Sequence, residues 1–168
     1  MVLHKISHPT ARHLAESGFT VIEILVVVAL LAMISGLGLI VGMDSYRGYA
    51  FRADRDTLVS LLERARSQSI NNICNGTLCT NGKPHGVFID ATSSQYILFQ
   101  GRTYATRDVG VDEVTGGSGF ITRSGISEVV FAQLSGEVSI PGAIVLSSKA
   151  GQTSTTSINV WGQIAWTN

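Results

Sequence analysis

The chain is poor in the residues that enzymes and nucleic-acid binders use. Charged residues make up only 14%, and the formal net charge is zero. No basic cluster offers a phosphate track, and no acidic run marks a disordered tail. Aromatics stand at 7%, proline at three residues and cysteine at two. Two cysteines cannot make a disulfide framework of the small secreted kind. Catalytic signatures are missing too: there is no Gly-x-Ser-x-Gly, no phosphate-binding Gly-rich loop with Lys, and no His-Glu-x-x-His. The sequence therefore reads as non-enzymatic, with no cofactor and no metal site expected.

One kind of residue is abundant in one place. Residues 24 to 43 carry no charge at all. A run of about 20 apolar residues spans about 30 Å as a helix, the hydrocarbon thickness of a bilayer. A secretory signal peptide would have a shorter apolar run followed by a small-x-small cleavage site; here the small residues Ser35, Gly36, Gly38 and Gly42 lie inside the run. The expectation is a membrane or filament helix over residues 19 to 43. Its anomaly is Glu23, an acid near the start of an apolar segment, where acids are costly and usually paired.

The order Gly18-Phe19-Thr20-Val21-Ile22-Glu23 resembles the type IV prepilin signature. The resemblance implies that residues 1 to 18 are a leader. A prepilin peptidase/methyltransferase would cut between Gly18 and Phe19 and methylate the new N-terminus at Phe19. Glu23 then becomes the fifth residue of the mature chain, an assembly residue that sets register by pairing with the α-amine of a neighbouring subunit. Loss of Lys5, Arg12 and Glu16 with the leader leaves ten basic and eleven acidic residues. Three histidines (His4, His8 and His13) go with it, so His85 is the only one left.

From Asp44 to Ile73 there is no proline, and Leu58, Leu61, Leu62, Ala65 and Ser69 recur at helical spacing. Residues 44 to 73 therefore continue the helix as an amphipathic segment, with Arg52, Arg55, Glu63, Arg64 and Arg66 largely on other faces. Gly38-x-x-x-Gly42 marks either close helix packing or a stretch that bends. The chain from 74 to 168 reads as a β-rich globular domain. "GVFIDA" and "SQYILFQG" flank a Thr92-Ser93-Ser94 turn as a hairpin, and residues 107 to 119 read as an exposed loop. "SEVVFAQ", "GEVSI", "AIVLSS", "TSINVW" and "QIAW" follow as strands. A helix followed by strands favours an α+β fold: one long N-terminal helix on a small antiparallel β domain, with two sheets.

Phe131, Gly136, Ile158, Val160 and Gly162 are similar in placement to positions of the GspH/FimT class of minor pilins and pseudopilins. That resemblance implies a subunit of a type II secretion pseudopilus or a type IV pilus. Its partners would be other pilins or pseudopilins. It would be a single-pass inner-membrane protein before assembly, with its C-terminal domain in the periplasm or outside the cell. Oxidising conditions there favour a Cys74–Cys79 disulfide. A metal site with His85 is the alternative, with three ligands where structural zinc takes four; otherwise His85 is a solvated turn residue. Asp108, Asp112 and Glu113 offer calcium oxygens or a solvated acidic loop. DNA binding for natural transformation is the second functional reading. It needs Arg102, Arg107 and Arg123 to converge on one face, against a slightly acidic mature chain.

Overall fold

The computed structural model describes residues 18–77 and 79–168, with the backbone alone for residues 37–44. Residues 1 to 17 of the expected leader, with its three histidines, lie outside the described residues, as do the side chains around Gly38 and Gly42. The chain divides into two compact units, Met1–Gly42 and Met43–Asn168.

One α-helix, α1, runs over Val21–Ile70. It begins where a capping box would start it. Thr20 stands before the first turn with Glu23 three residues on, and the Thr20 hydroxyl accepts the Glu23 amide at 3.3 Å. Glu23 lies in the first turn, where the helix dipole favours an acid. The helix ends three residues earlier than the expected Ile73, and the reason is a Schellman closure. Asn72 takes the left-handed conformation (φ 55°), its amide reaches the Ser69 carbonyl at 3.2 Å, and the Ile73 amide reaches the Gln68 carbonyl at 2.9 Å.

The membrane-crossing role of residues 19 to 43 is corrected. Among the described residues no helix is long and apolar enough to cross a membrane. The expected long apolar span of the fold falls with this finding. So do the single-pass inner-membrane location and the periplasmic or external placing of the C-terminal domain that rested on it.

The second unit is α+β with two antiparallel sheets. The first holds β1 (His85–Asp90), β2 (Gln95–Gln100), β3 (Glu113–Gly116) and β5 (Glu128–Phe131), in the order β3-β2-β1-β5. The second holds β4 (Ile121–Gly125), β6 (Gly142–Ser148), β7 (Thr153–Ile158) and β8 (Ile164–Thr167), in the order β4-β6-β7-β8. The β1–β2 hairpin sits where the Thr92-Ser93-Ser94 turn places it, with Asp90 opposite Gln95. The Asp90 carboxylate closes the turn by accepting the Thr92 and Ser93 amides at 2.9 and 3.1 Å and the Ser93 hydroxyl at 2.5 Å.

Several strand expectations change: β4 lies in a stretch that gave no strand expectation, and the strand expected at "TSINVW" begins earlier and ends at Ile158. Residues 107 to 119 are not one loop: a 3-10 turn over Val109–Val111 leads into the edge strand β3, which pairs with β2. β3 has little apolar pattern because Val114 stays exposed, and main-chain bonding to β2 holds it. "GEVSI" forms only an isolated bridge, Val138 to Phe131.

The core joins three layers. Helix residues Phe51, Leu58, Leu61, Leu62 and Ala65 meet Val87, Tyr96 and Phe131 of the first sheet and Ile121, Ile144 and Leu146 of the second. Fully burying a leucine stabilises by roughly 1.5–3 kcal/mol, and Leu58 and Leu62 are both fully buried. The buried face of α1 is wider than apolar spacing suggests, because Asp54 and Arg55 lie on it as well. Arg55 is not on an outer face: its guanidinium donates to Asp56 at 2.9 and 2.8 Å and to Asn168 at 2.8 Å, and stacks over Trp166.

Candidate functional site

The N-terminal site is exposed along its length. Phe19 is 78% exposed and Glu23 is also exposed. A Cβ built on Gly18 meets nothing within 4 Å, so the Gly18–Phe19 bond is unshielded. From Val21 to Ile34 the large apolar side chains are exposed on every face of the helix: Val21 at 79%, Ile22 at 70%, Met33 at 72% and Ile34 at 67%. Contiguous apolar surface of this kind marks an interaction surface.

Within the second unit several ionisable groups are used internally. Arg123 is buried, and so cannot join Arg102 and Arg107 on one exposed face. Its Nη2 donates to both Asp54 oxygens, at 2.9 and 2.8 Å, and its Nε donates to the Tyr96 hydroxyl at 2.8 Å. The Tyr96 hydroxyl in turn donates to Asp54 at 3.0 Å, and the Ser118 amide adds another donor at 3.0 Å. Burial, and after it the Asp54 charge, push the Tyr96 phenol far above its usual range. This network ties α1 to β2 and β4, one strand from each sheet. Gly117 makes room for it, since a Cβ there would collide with the Arg123 guanidinium and come within 2.6 Å of Asp54. Asp54, Tyr96 and Gly117 were not foreseen from the sequence. An acid on the apolar face of a helix, with a distant arginine to match, is the only signal they leave.

Arg107 is taken as well. Its Nε donates to Asp112 at 2.7 Å, its Nη1 donates to the Tyr104 carbonyl at 2.8 Å, and its plane lies over the Tyr104 ring. The Asp112 hydrogen bond raises the Arg107 pKa. Glu113 pairs with Arg64 at 2.6 Å. Two of the three candidate calcium ligands are thus engaged by arginines, and among the described residues no group of three or more His, Cys, Asp and Glu could hold a metal ion.

Cys74 and Cys79 form a disulfide, with their Cα atoms 5.8 Å apart. This removes the thiolates that a metal site with His85 would need. Nor is His85 a solvated turn residue. It opens β1 and is 1% exposed, and burial depresses its pKa, partly offset by the Lys83 main chain and the Gln100 side chain. The disulfide loop is docked on the sheet by Gln100, whose side chain accepts the Asn75 amide at 2.7 Å and donates to the Asn75 carbonyl at 3.2 Å. Ser69 anchors the same corner: its hydroxyl accepts the His85 amide at 2.8 Å and donates to the Phe131 carbonyl at 3.0 Å. Gln100 also went unremarked in the sequence, where it looks like an ordinary polar position; the spacing of Ser69 placed it on the inner helix face, without this anchoring role.

No family model matches the chain, and no characterised protein or solved structure matches it.

Proposed function

We propose that the chain is a minor pilin or pseudopilin: a structural subunit of a type II secretion pseudopilus or a type IV pilus, assembled through its N-terminal helix. The observation that carries this reading is the exposed apolar helix surface from Val21 to Ile34, led by an exposed Gly18–Phe19 bond and an acid in the first turn. Apolar surface left open on all sides is covered when several copies bundle. Glu23 is then the one charged side chain between Phe19 and Met43 in the bundle. Once a prepilin peptidase has removed residues 1 to 18, the free α-amine of Phe19 on a neighbouring copy is its natural partner. Such a pair fixes the axial stagger between copies, because any other stagger leaves both charges buried and unpaired.

The test is Glu23→Leu. Breaking a buried pair by removing one partner costs about 3–5 kcal/mol. Processed Glu23→Leu chain should therefore be largely lost from filaments co-purified with wild-type partners. The globular unit should stay folded. Incorporation at wild-type levels contradicts the pairing.

A further inference from the structure

We propose that the outer face of the first sheet carries a binding site for an extended peptide that presents an apolar side chain next to a carboxylate. The site lies wholly within the second unit and goes beyond filament assembly, since the N-terminal helix contributes nothing to it.

A groove of about 440 Å³ runs along β5. Val130 and Ala132 form its floor. They point outward because Val129 and Phe131, between and beside them, point into the core. Arg102, Thr103, Ser139 and Ile140, the last 73% exposed, line it as well. The one acid in the lining, Glu128, already accepts the Tyr104 amide at 2.6 Å.

A second cavity of about 570 Å³ adjoins the first and shares Pro84, Arg102 and Gln133 with it. Its cations are Lys83, Arg102 and Arg107. Arg107 is neutralised by Asp112, and Asp108 is the one acid in the wall. Among the described residues the side-chain nitrogens of Lys83 and Arg102 have no hydrogen-bond or ion-pair partner. Two unpaired cations therefore line the cavity beside the groove, Arg102 belonging to both. The ligand that satisfies both has an apolar group for the floor at Val130 and Ala132 and a carboxylate for Lys83 and Arg102. An extended peptide places these groups on neighbouring residues. A nucleic acid would use the cations and leave the apolar floor empty.

The probe is acetyl-Gly-Val-Leu-Glu, with its Gln, C-amidated analogue as control, titrated into the full-length chain carrying labelled methyl groups. The acidic peptide should shift the methyl signals of Val130, Ala132 and Ile140 at about millimolar concentration or below. The uncharged analogue should bind at least about ten-fold more weakly. Lys83→Gln with Arg102→Gln, the first half-buried and the second exposed, should remove the same factor while leaving the circular dichroism unchanged. Rising salt should weaken the acidic peptide alone. Equal binding of the two peptides overturns the proposal, as do unmoved groove methyls at millimolar peptide. So does a single-stranded oligonucleotide that competes through Lys83 and Arg102 and leaves the methyl signals still.

Discussion

One guanidinium nitrogen of Arg123 donates to both carboxylate oxygens of Asp54, and the two side chains are 1% and 2% exposed. A buried pair of this kind is costly to form and more costly to break, because the survivor is left charged without a partner. Asp54→Ala and Arg123→Ala should each destabilise by about 3–5 kcal/mol. Asp54→Leu combined with Arg123→Met should cost much less than the two losses added together. Urea unfolding of the four chains decides this, and additive losses contradict the coupling.

Gly162 and Gly136 meet back to back. Both have a φ of 68°, and a Cβ on Gly162 would strike the Gly136 carbonyl oxygen. Gly162→Ala meets a backbone atom that cannot swing aside, in a conformation that L-residues avoid. A loss of more than about 2 kcal/mol is expected, read as a fall in the urea midpoint. An alanine variant as stable as the parent contradicts the contact.

The buried His85 makes stability depend on pH. Its folded pKa lies below 6.5, so the unfolded chain takes up the proton first. His85 therefore contributes stability in full above that value. The contribution is lost as the pH falls from 6.5 through the depressed folded pKa, with a slope of at most about 1.4 kcal/mol per pH unit. The Asp90 carboxylate, lowered by its Ser93 hydrogen bonds, acts in the same direction at more acid pH. Unfolding midpoints of the parent and of His85→Leu, followed from pH 8 down to 5, should diverge in slope below about 6.5. Parallel curves contradict a buried neutral imidazole.

The Cys74–Cys79 bridge closes a short loop, for which the chain-entropy model gives about 2 kcal/mol. Cys74→Ser with Cys79→Ser should lower stability by about that amount. Amide exchange should then quicken at Asn75, which Gln100 holds to the sheet. Unchanged exchange at Asn75 means that Gln100 alone secures the loop.

The sequence made some parts of this fold legible and hid others for physical reasons. Helical spacing exposed the buried stripe Leu58, Leu61, Leu62, Ala65 and Ser69, since period is a local property. The β1–β2 hairpin was legible through its Thr92-Ser93-Ser94 turn. The Asp54–Arg123 pair was not, because its partners lie 69 positions apart and only folding brings them together. An arginine in a strand looks like surface until its acid is found, which is why Arg123 read as a candidate for a DNA-binding face. β3 was hidden because an edge strand with an exposed Val114 lacks inward apolar residues. His85 lies beside Pro84 and Gly86 in a turn-like stretch, yet it opens a central strand. At the N-terminus, the Thr20–Glu23 spacing gives Glu23 a local role as the first-turn acid of a capped helix, beside the assembly role proposed for it.

The mass of the processed chain tests the account most directly. The chain should be produced together with a prepilin peptidase and recovered intact, and its N-terminus read by mass spectrometry. The account predicts a polypeptide that begins at Phe19 with a methyl group on its α-amine. It also predicts that Gly18 replaced by a bulky or charged residue leaves residues 1 to 18 in place. A leader still attached to the parent chain in the presence of active peptidase, or a cut at any bond other than Gly18–Phe19, would contradict the assignment as a filament subunit of this kind.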